Sequence, residues 1–309
     1  MPKPRGAGRD PDRPDPAGRP RRRTVQTIAG MLDITLYGPD DGEAIVLTSH
    51  GMGSRESFDE VARHLAATLP DRRIVSWSRP GCGDSPDHGD LWRAADPLVH
   101  EATVVLPALM AVLGIRRADL VGHADGATVS LVFAARFPER TGQVVAIAPR
   151  AFMDAQFRAM TESLPPGERE SGLSERLAAR HAQAQSTYDN WLSRCRTQLR
   201  QGWSALREIY GMAAPLLLVQ GLDDEFASAD QLTAVAEAVA GPVDWVLFRN
   251  QGHFPQHDDP ERVFRVIDGF LQRGPAPTRA RPGLPIAGLA FTCAATGLPP
   301  SAATAAPRL

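Results

Sequence analysis

The sequence predicts an α/β protein: a doubly wound, mostly parallel sheet with a helical cap insertion. Three observations carry this. Short apolar runs bounded by turn residues alternate with segments of helical periodicity. Pro215–Gln220 reads as an apolar run, as a strand in the middle of a parallel sheet requires. Between Ala151 and Ala214 the alternation stops, and the composition becomes helical and rich in large apolar residues.

Taken in order, Leu32–Tyr37 and Ala44–Thr48 read as strands joined by the turn Pro39-Asp40-Asp41-Gly42. Phe58, Val61, Leu65 and Leu69 fall on one helical face. Arg73–Trp77 is a strand and Leu98–Leu113 a helix with a periodic apolar stripe. Asp119–Val121 is the next strand, followed by a small-residue helix to about Phe137 and a strand at Val144–Ala148. After the insertion come the strand at Pro215–Gln220, a helix at Leu232–Val239, a strand at Val243–Phe248 and a closing helix at Pro260–Leu271. Strand–helix alternation of this kind implies βαβ units and one sheet. Phe152, Met153, Phe157, Met160, Tyr188, Trp191, Trp203, Tyr210 and Met212 lie in or near the insertion. Most are expected in the core of a small cap, and some should face a cleft.

The organisation that follows is a basic, Pro/Arg-rich disordered tail at 1–24, a globular domain at 25–272 with its cap at about 151–213, and an Ala/Pro/Gly-rich disordered tail at 273–309. Residues 1–24 carry eight Lys/Arg and three Asp/Glu, and residues 273–309 carry four Arg and no acid. With a formal net charge of −2 overall, the body is therefore strongly acidic, which argues against a nucleic-acid partner. No stretch of about 18 apolar residues exists, so no membrane span is expected. Arg21-Arg22-Arg23 could open a twin-arginine signal, but no apolar stretch follows it. Cys82, Cys195 and Cys293 lie far apart and read as free thiols in a reducing, cytoplasmic setting. No metal-ligand spacing and no dinucleotide or P-loop fingerprint is present, so neither metal nor cofactor is expected.

Four landmarks carry the chemistry. Ser49-His50-Gly51-Met52-Gly53 and Arg79-Pro80-Gly81-Cys82-Gly83-Asp84-Ser85 are Gly-rich loops after strands. Gly122-His123-Ala124-Asp125-Gly126 joins a strand to a helix. Gly221-Leu222-Asp223-Asp224 and Gly252-His253-Phe254-Pro255 form a late pair, each after a strand. Together they resemble the α/β-hydrolase superfamily, most closely the bacterial members whose nucleophile elbow reads G-H-S-D-G; here it reads G-H-A-D-G. The resemblance runs from roughly Thr27 to Leu271.

That resemblance implies roles by position. Ala124 stands at the nucleophile, Asp224 at the acid and His253 at the base. Met52 and Asp125 would supply the two oxyanion-hole N–H groups, and Gly122 and Gly126 would leave room for the turn. Asp223 stays open as an alternative acid, and Cys82 reads as structural or exposed. His50, His123 and His257 read as supporting residues, and Ser130 should point away. Asp125 is not expected to be the nucleophile, because a shift by one residue would put His123 where the elbow needs glycine.

A methyl group cannot attack a carbonyl, so Ala124 leaves three readings. The chain has lost serine-type hydrolysis and kept the pocket, as a binding protein or an acid–base enzyme. A parent serine hydrolase has been altered at this position. Asp125, or a water activated by His253, carries a slow hydrolysis. The implied partner in each case is a small carbonyl-type molecule with apolar bulk.

Overall fold

The computed structural model describes residues 20–87, 94–165 and 173–274. Eight strands form one sheet: β1 (Arg21–Thr27), β2 (Gly30–Tyr37), β3 (Glu43–Thr48), β4 (Arg72–Trp77), β5 (Ala118–His123), β6 (Thr141–Ile147), β7 (Leu216–Gly221) and β8 (Val243–Phe248). Their order is β1-β2-β4-β3-β5-β6-β7-β8. The β1–β2 and β2–β4 pairs are antiparallel, and all others are parallel. Every residue of β6 and β7 is buried, which is why those strands read as apolar runs.

The strand β1 corrects the expected tail boundary. Arg21–Thr27 pairs along its whole length with β2, from Arg21 opposite Leu36 to Thr27 opposite Gly30. Only Val25 and Thr27 turn inward, so the strand carries three arginines on an exposed edge and shows little apolar signal. The rest of the first expected tail (residues 1–19) and the second beyond residue 274 lie outside the described residues.

Helices cover both faces. On one side lie α1 (Asp59–Thr68) and, at the far end of the chain, Pro260–Gln272. The latter starts with Asp259 accepting from the Arg262 N–H and Pro260 at its first position. On the other side, α2 (Pro97–His100) runs through a π-helical stretch, Glu101–Val105, into α3 (Leu106–Val112). Beside them pack α4 (Asp125–Arg136) and Asp230–Ala238. Most of these helices bury one apolar stripe against the sheet, whereas α4 is buried almost all round, from Asp125 to Ala134.

Between β6 and β7 the cap comprises α5 (Ala155–Ser163), α6 (Leu173–Ala178), α7 (Ala184–Gln201) and α8 (Leu206–Ile209). A bridge between Phe152 and Ser204 closes its base. The cap has its own apolar cluster, in which Phe157, Met160, Tyr188, Trp191 and Leu192 join Met52 and Phe226 from the sheet side. Met212 belongs instead to the main core, and Tyr210 is exposed. Among the described residues no helix is long and apolar enough to cross a membrane.

Candidate active site

The site lies where the strand ends meet the cap. Strand β5 ends at His123, and Ala124 turns the chain at φ 51°, ψ −115°, straight into α4. Its N–H donates to the Ile147 carbonyl at 2.9 Å. Glycines flank the bend for a steric reason. A methyl at Gly122 would meet Gly126 and Ala127, and one at Gly126 would meet the Thr48 and Ser49 carbonyls. Asp125 opens α4, so its N–H lacks an acceptor within the helix.

His253 and Asp224 are brought together from the loops after β8 and β7. The His253 Nδ1 lies 3.0 Å from Asp224 Oδ1 and 2.9 Å from Oδ2. Asp224 also accepts from the N–H groups of Phe226 (2.8 Å) and Ala227 (3.0 Å), and from Gln220 Nε2 (3.2 Å). Both residues are buried. Asp223 is exposed, and of the two candidate acids only Asp224 contacts the imidazole. With Nδ1 turned to the carboxylate, Nε2 is the nitrogen left for a ligand.

A cavity of about 40 Å³ sits over the bend, lined by Met52, Ala124, Asp125, Phe226, His253 and Phe254 together with cap residues. It shares His50, Met52, His253 and Phe254 with an outer cleft of about 1350 Å³.

Three further histidines surround the dyad. His123 Nε2 donates to the His253 carbonyl at 2.8 Å, tying down the loop that carries His253. Burial, reinforced by His253, holds His123 well below the usual imidazole range. Burial likewise pushes His50 down to about 3; its ring packs edge-on against Phe254. His181, from the cap, accepts from the Gly83 N–H at 2.9 Å and bonds the Met52 backbone. Burial, with Arg180 adding to it, brings His181 down to about 4. His257 is half-exposed near Glu60, and Ser130 donates to the Gly126 carbonyl.

A charged network without any local sequence signal lies beneath the cap. Burial opposes ionisation of Asp125, yet Arg150, Arg194 and Arg79 hold its carboxyl far below the usual carboxylate range. Arg150 Nε donates to Asp125 Oδ1 at 2.8 Å, and Arg194 Nη2 pairs with Oδ2. Both oxygens of Asp125 are thereby engaged by guanidinium groups. Arg79 forms a buried two-pronged pair with Glu101, at 2.6 and 2.7 Å, and donates to the His50 carbonyl. Cys82 is buried rather than exposed; its thiol points to the Gly51 carbonyl, and burial pushes it up to about 11. Arg150 and Arg194 lie 25 and 69 positions from Asp125, so their pairing with it has no local sequence signal. Among the described residues no group of His, Cys, Asp and Glu could hold a metal ion.

Comparison with known proteins completes the assignment. Residues 45–266 match the model of the Alpha/beta hydrolase family. A protein of Pseudomonas savastanoi pv. phaseolicola named carbamate hydrolase RutD is 28% identical over 254 residues, covering 75% of this chain and 94% of that one. Its counterpart in Caulobacter vibrioides is 28% identical over 184 residues, spanning 58% of this chain and only 64% of that protein's length. A 2-hydroxy-6-oxononadienedioate/2-hydroxy-6-oxononatrienedioate hydrolase of Comamonas testosteroni is 42% identical over 128 residues, 41% of this chain and 43% of its own. Among solved structures, a meta-cleavage product hydrolase from Pseudomonas fluorescens IP01 aligns with a TM-score of 0.65 at 16% identity, covering 81% of this chain and 97% of that one. A 2-hydroxy-6-oxo-6-phenylhexa-2,4-dienoate hydrolase from Rhodococcus aligns at 0.66 and 14%, covering 82% and 100%. At such identities the two structures speak to the fold. The family match, which spans most of the chain, settles the wider relationship: this protein belongs to the Alpha/beta hydrolase family.

Proposed function

We propose that this protein binds a small carbonyl compound with apolar bulk and is deficient in serine-type hydrolysis. The observation that carries the reading is a complete His253–Asp224 dyad lining the same cavity as the bare methyl of Ala124. The Met52 and Asp125 N–H groups supply the oxyanion cradle, and the apolar side chains of Phe157, Trp191, Phe226 and Phe254 enclose the ligand. The relatives' names point to carbamates and oxo-dienedioates, both carbonyl compounds.

Without a nucleophile no acyl intermediate forms on the protein. His253 remains able to move a proton: for a ligand with an acidic C–H beside its carbonyl, Nε2 takes that proton and the cradle holds the enolate oxygen. Loss of the nucleophile alone costs about 10⁶ in turnover in a protease triad, while cradle and binding can leave about 10³–10⁴ over water.

The test sets the protein against Ala124→Ser on a panel of activated short esters. The serine variant gains cleavage with a burst of one equivalent, and the unchanged protein shows no burst. A burst from the unchanged protein, or no gain on the whole panel, overturns the reading. Solvent deuterium incorporation into bound carbonyl compounds, abolished by His253→Ala, reports the proton-transfer step. Binding with no incorporation would reduce the chain to a ligand-binding protein.

A further inference from the structure

Helix α7 contacts four consecutive strand ends. Thr187 Oγ1 donates to the Gly81 carbonyl at 2.6 Å, in the loop after β4. Trp191 lies against Gly51, in the loop after β3, so closely that a methyl added there would land on the indole Nε1. Arg194 pairs with Asp125, just after β5. Gln198 Oε1 accepts from Arg150 Nη1 at 3.1 Å, just after β6. The sheet order in this region is β4-β3-β5-β6, the same order as the helix contacts.

The match is metric as well as topological. Positions 187, 191, 194 and 198 fall on one helical face and are all buried. Eleven residues of helix rise about 16 Å, and three inter-strand gaps span about 14 Å. A helix laid across the sheet edge therefore meets successive strand ends about once per turn. The two middle rungs reach the two loops that carry the proposed cradle: Trp191 backs Gly51, next to Met52, and Arg194 holds Asp125 itself.

We propose that α7 is the strut that sets the oxyanion cradle, with Arg194 and Trp191 as its positioning residues. The Met52 and Asp125 amides come from separate loops that pack on each other at Gly126, and α7 rests on both loops at once. Undocking α7 releases both loops together and disassembles the cradle while leaving the dyad paired, since His253 and Asp224 bond each other from the loops after β8 and β7. This rests on the reading of those two amides as the oxyanion donors.

Native-state hydrogen exchange on the intact protein tests it without any assay of activity. The reporters are the bonded amides of Gly53 (to the His50 carbonyl, 2.9 Å) and Ala124 (to the Ile147 carbonyl, 2.9 Å), which flank the two donors. They are expected to be no better protected than the central amides of α7. If α7 amides exchange about tenfold faster than both reporters, the helix opens while the cradle stays shut and the proposal fails. Arg194→Met leaves Asp125 paired with Arg150 and should speed exchange at both reporters while sparing the sheet interior. In the Ala124→Ser background the same change should lower kcat by about 10²-fold with KM little moved, the cost of a misplacement on the order of 1 Å. Arg194→Lys should recover part of the loss. A uniform drop in stability with kcat unchanged would overturn the positioning role. Failure of Ala124→Ser to gain esterase activity would sink the functional reading and leave the exchange result to decide this one.

Discussion

Asp224 grips His253 Nδ1 with both carboxylate oxygens, at 3.0 and 2.9 Å, while two backbone N–H groups and Gln220 anchor the carboxylate from behind. A carboxylate held that way leaves the imidazole one orientation and one tautomer. Asp224→Asn, placed in the Ala124→Ser background, should keep the geometry and reverse the tautomer. The expected fall in kcat is about 10⁴-fold by analogy with a protease triad, measured on the best ester of the panel. Asp223→Asn should change kcat by far less, because Asp223 is exposed and Asp224 is the partner of the imidazole.

Acid sensitivity follows from the histidines packed around the site, of which His181 is buried and His50 half-buried. Their folded values lie below the free imidazole value near 6.5, at about 3 for His50 and about 4 for His181. The unfolded chain therefore takes up protons first as pH falls. The stability these neutral rings contribute is complete above about pH 6.5 and is lost progressively toward pH 4. For His181 alone the depression corresponds to about 3 kcal/mol. Thermal melts between pH 7.5 and 4.5 should slope down with acid, and His181→Gln should flatten that slope. Equal slopes for the two proteins would show that His181 is not held neutral.

Asp125 should respond differently. Removing its carboxylate leaves Arg150 and Arg194 as buried guanidiniums without their shared counter-ion, at a cost of about 3–5 kcal/mol. Because its folded value is depressed, this stabilisation is complete above the unfolded carboxyl value near 3.9 and is lost only below it. Urea unfolding of Asp125→Asn should show a large gap from the parent at pH 7, narrowing only below about pH 4. A gap of less than about 1 kcal/mol at pH 7 would refute the clamp.

Cys82 and Cys195 are both buried, and burial pushes each thiol up to about 11. In the native protein at pH 7.5 both should resist iodoacetamide, and both should react in denaturant, as read by peptide mapping. Rapid native labelling of Cys82 would show that its thiol is open to reagents in the folded protein.

The frame was legible because its signals are local. The sheet's inner strands announce themselves as apolar runs such as Leu216–Gly221, and the four Gly-rich turns mark where strand ends must approach a ligand. Two features escaped. The first residues of strand β1, Arg21 to Thr24, form an arginine-bearing edge with no inward side chain, so they read as the end of a basic tail. The Asp125–Arg150–Arg194 and Arg79–Glu101 pairs join residues 22 to 69 positions apart, and no periodicity encodes such a partnership. Choosing between Asp223 and Asp224 also needed the fold, since neighbours in a loop point in different directions.

The bend at Ala124 holds an L-residue at φ 51°, a backbone state that costs about 1–3 kcal/mol and that alanine has no reason of its own to adopt. Its surroundings impose it: the bond to the Ile147 carbonyl and the tight packing of Gly122 and Gly126. Residue 124 is thus a bit gripped in a chuck whose jaws are cut elsewhere in the chain. Whatever small side chain is installed there will be presented at the same point and angle, so the chemistry of the tip can be exchanged without retooling the protein around it.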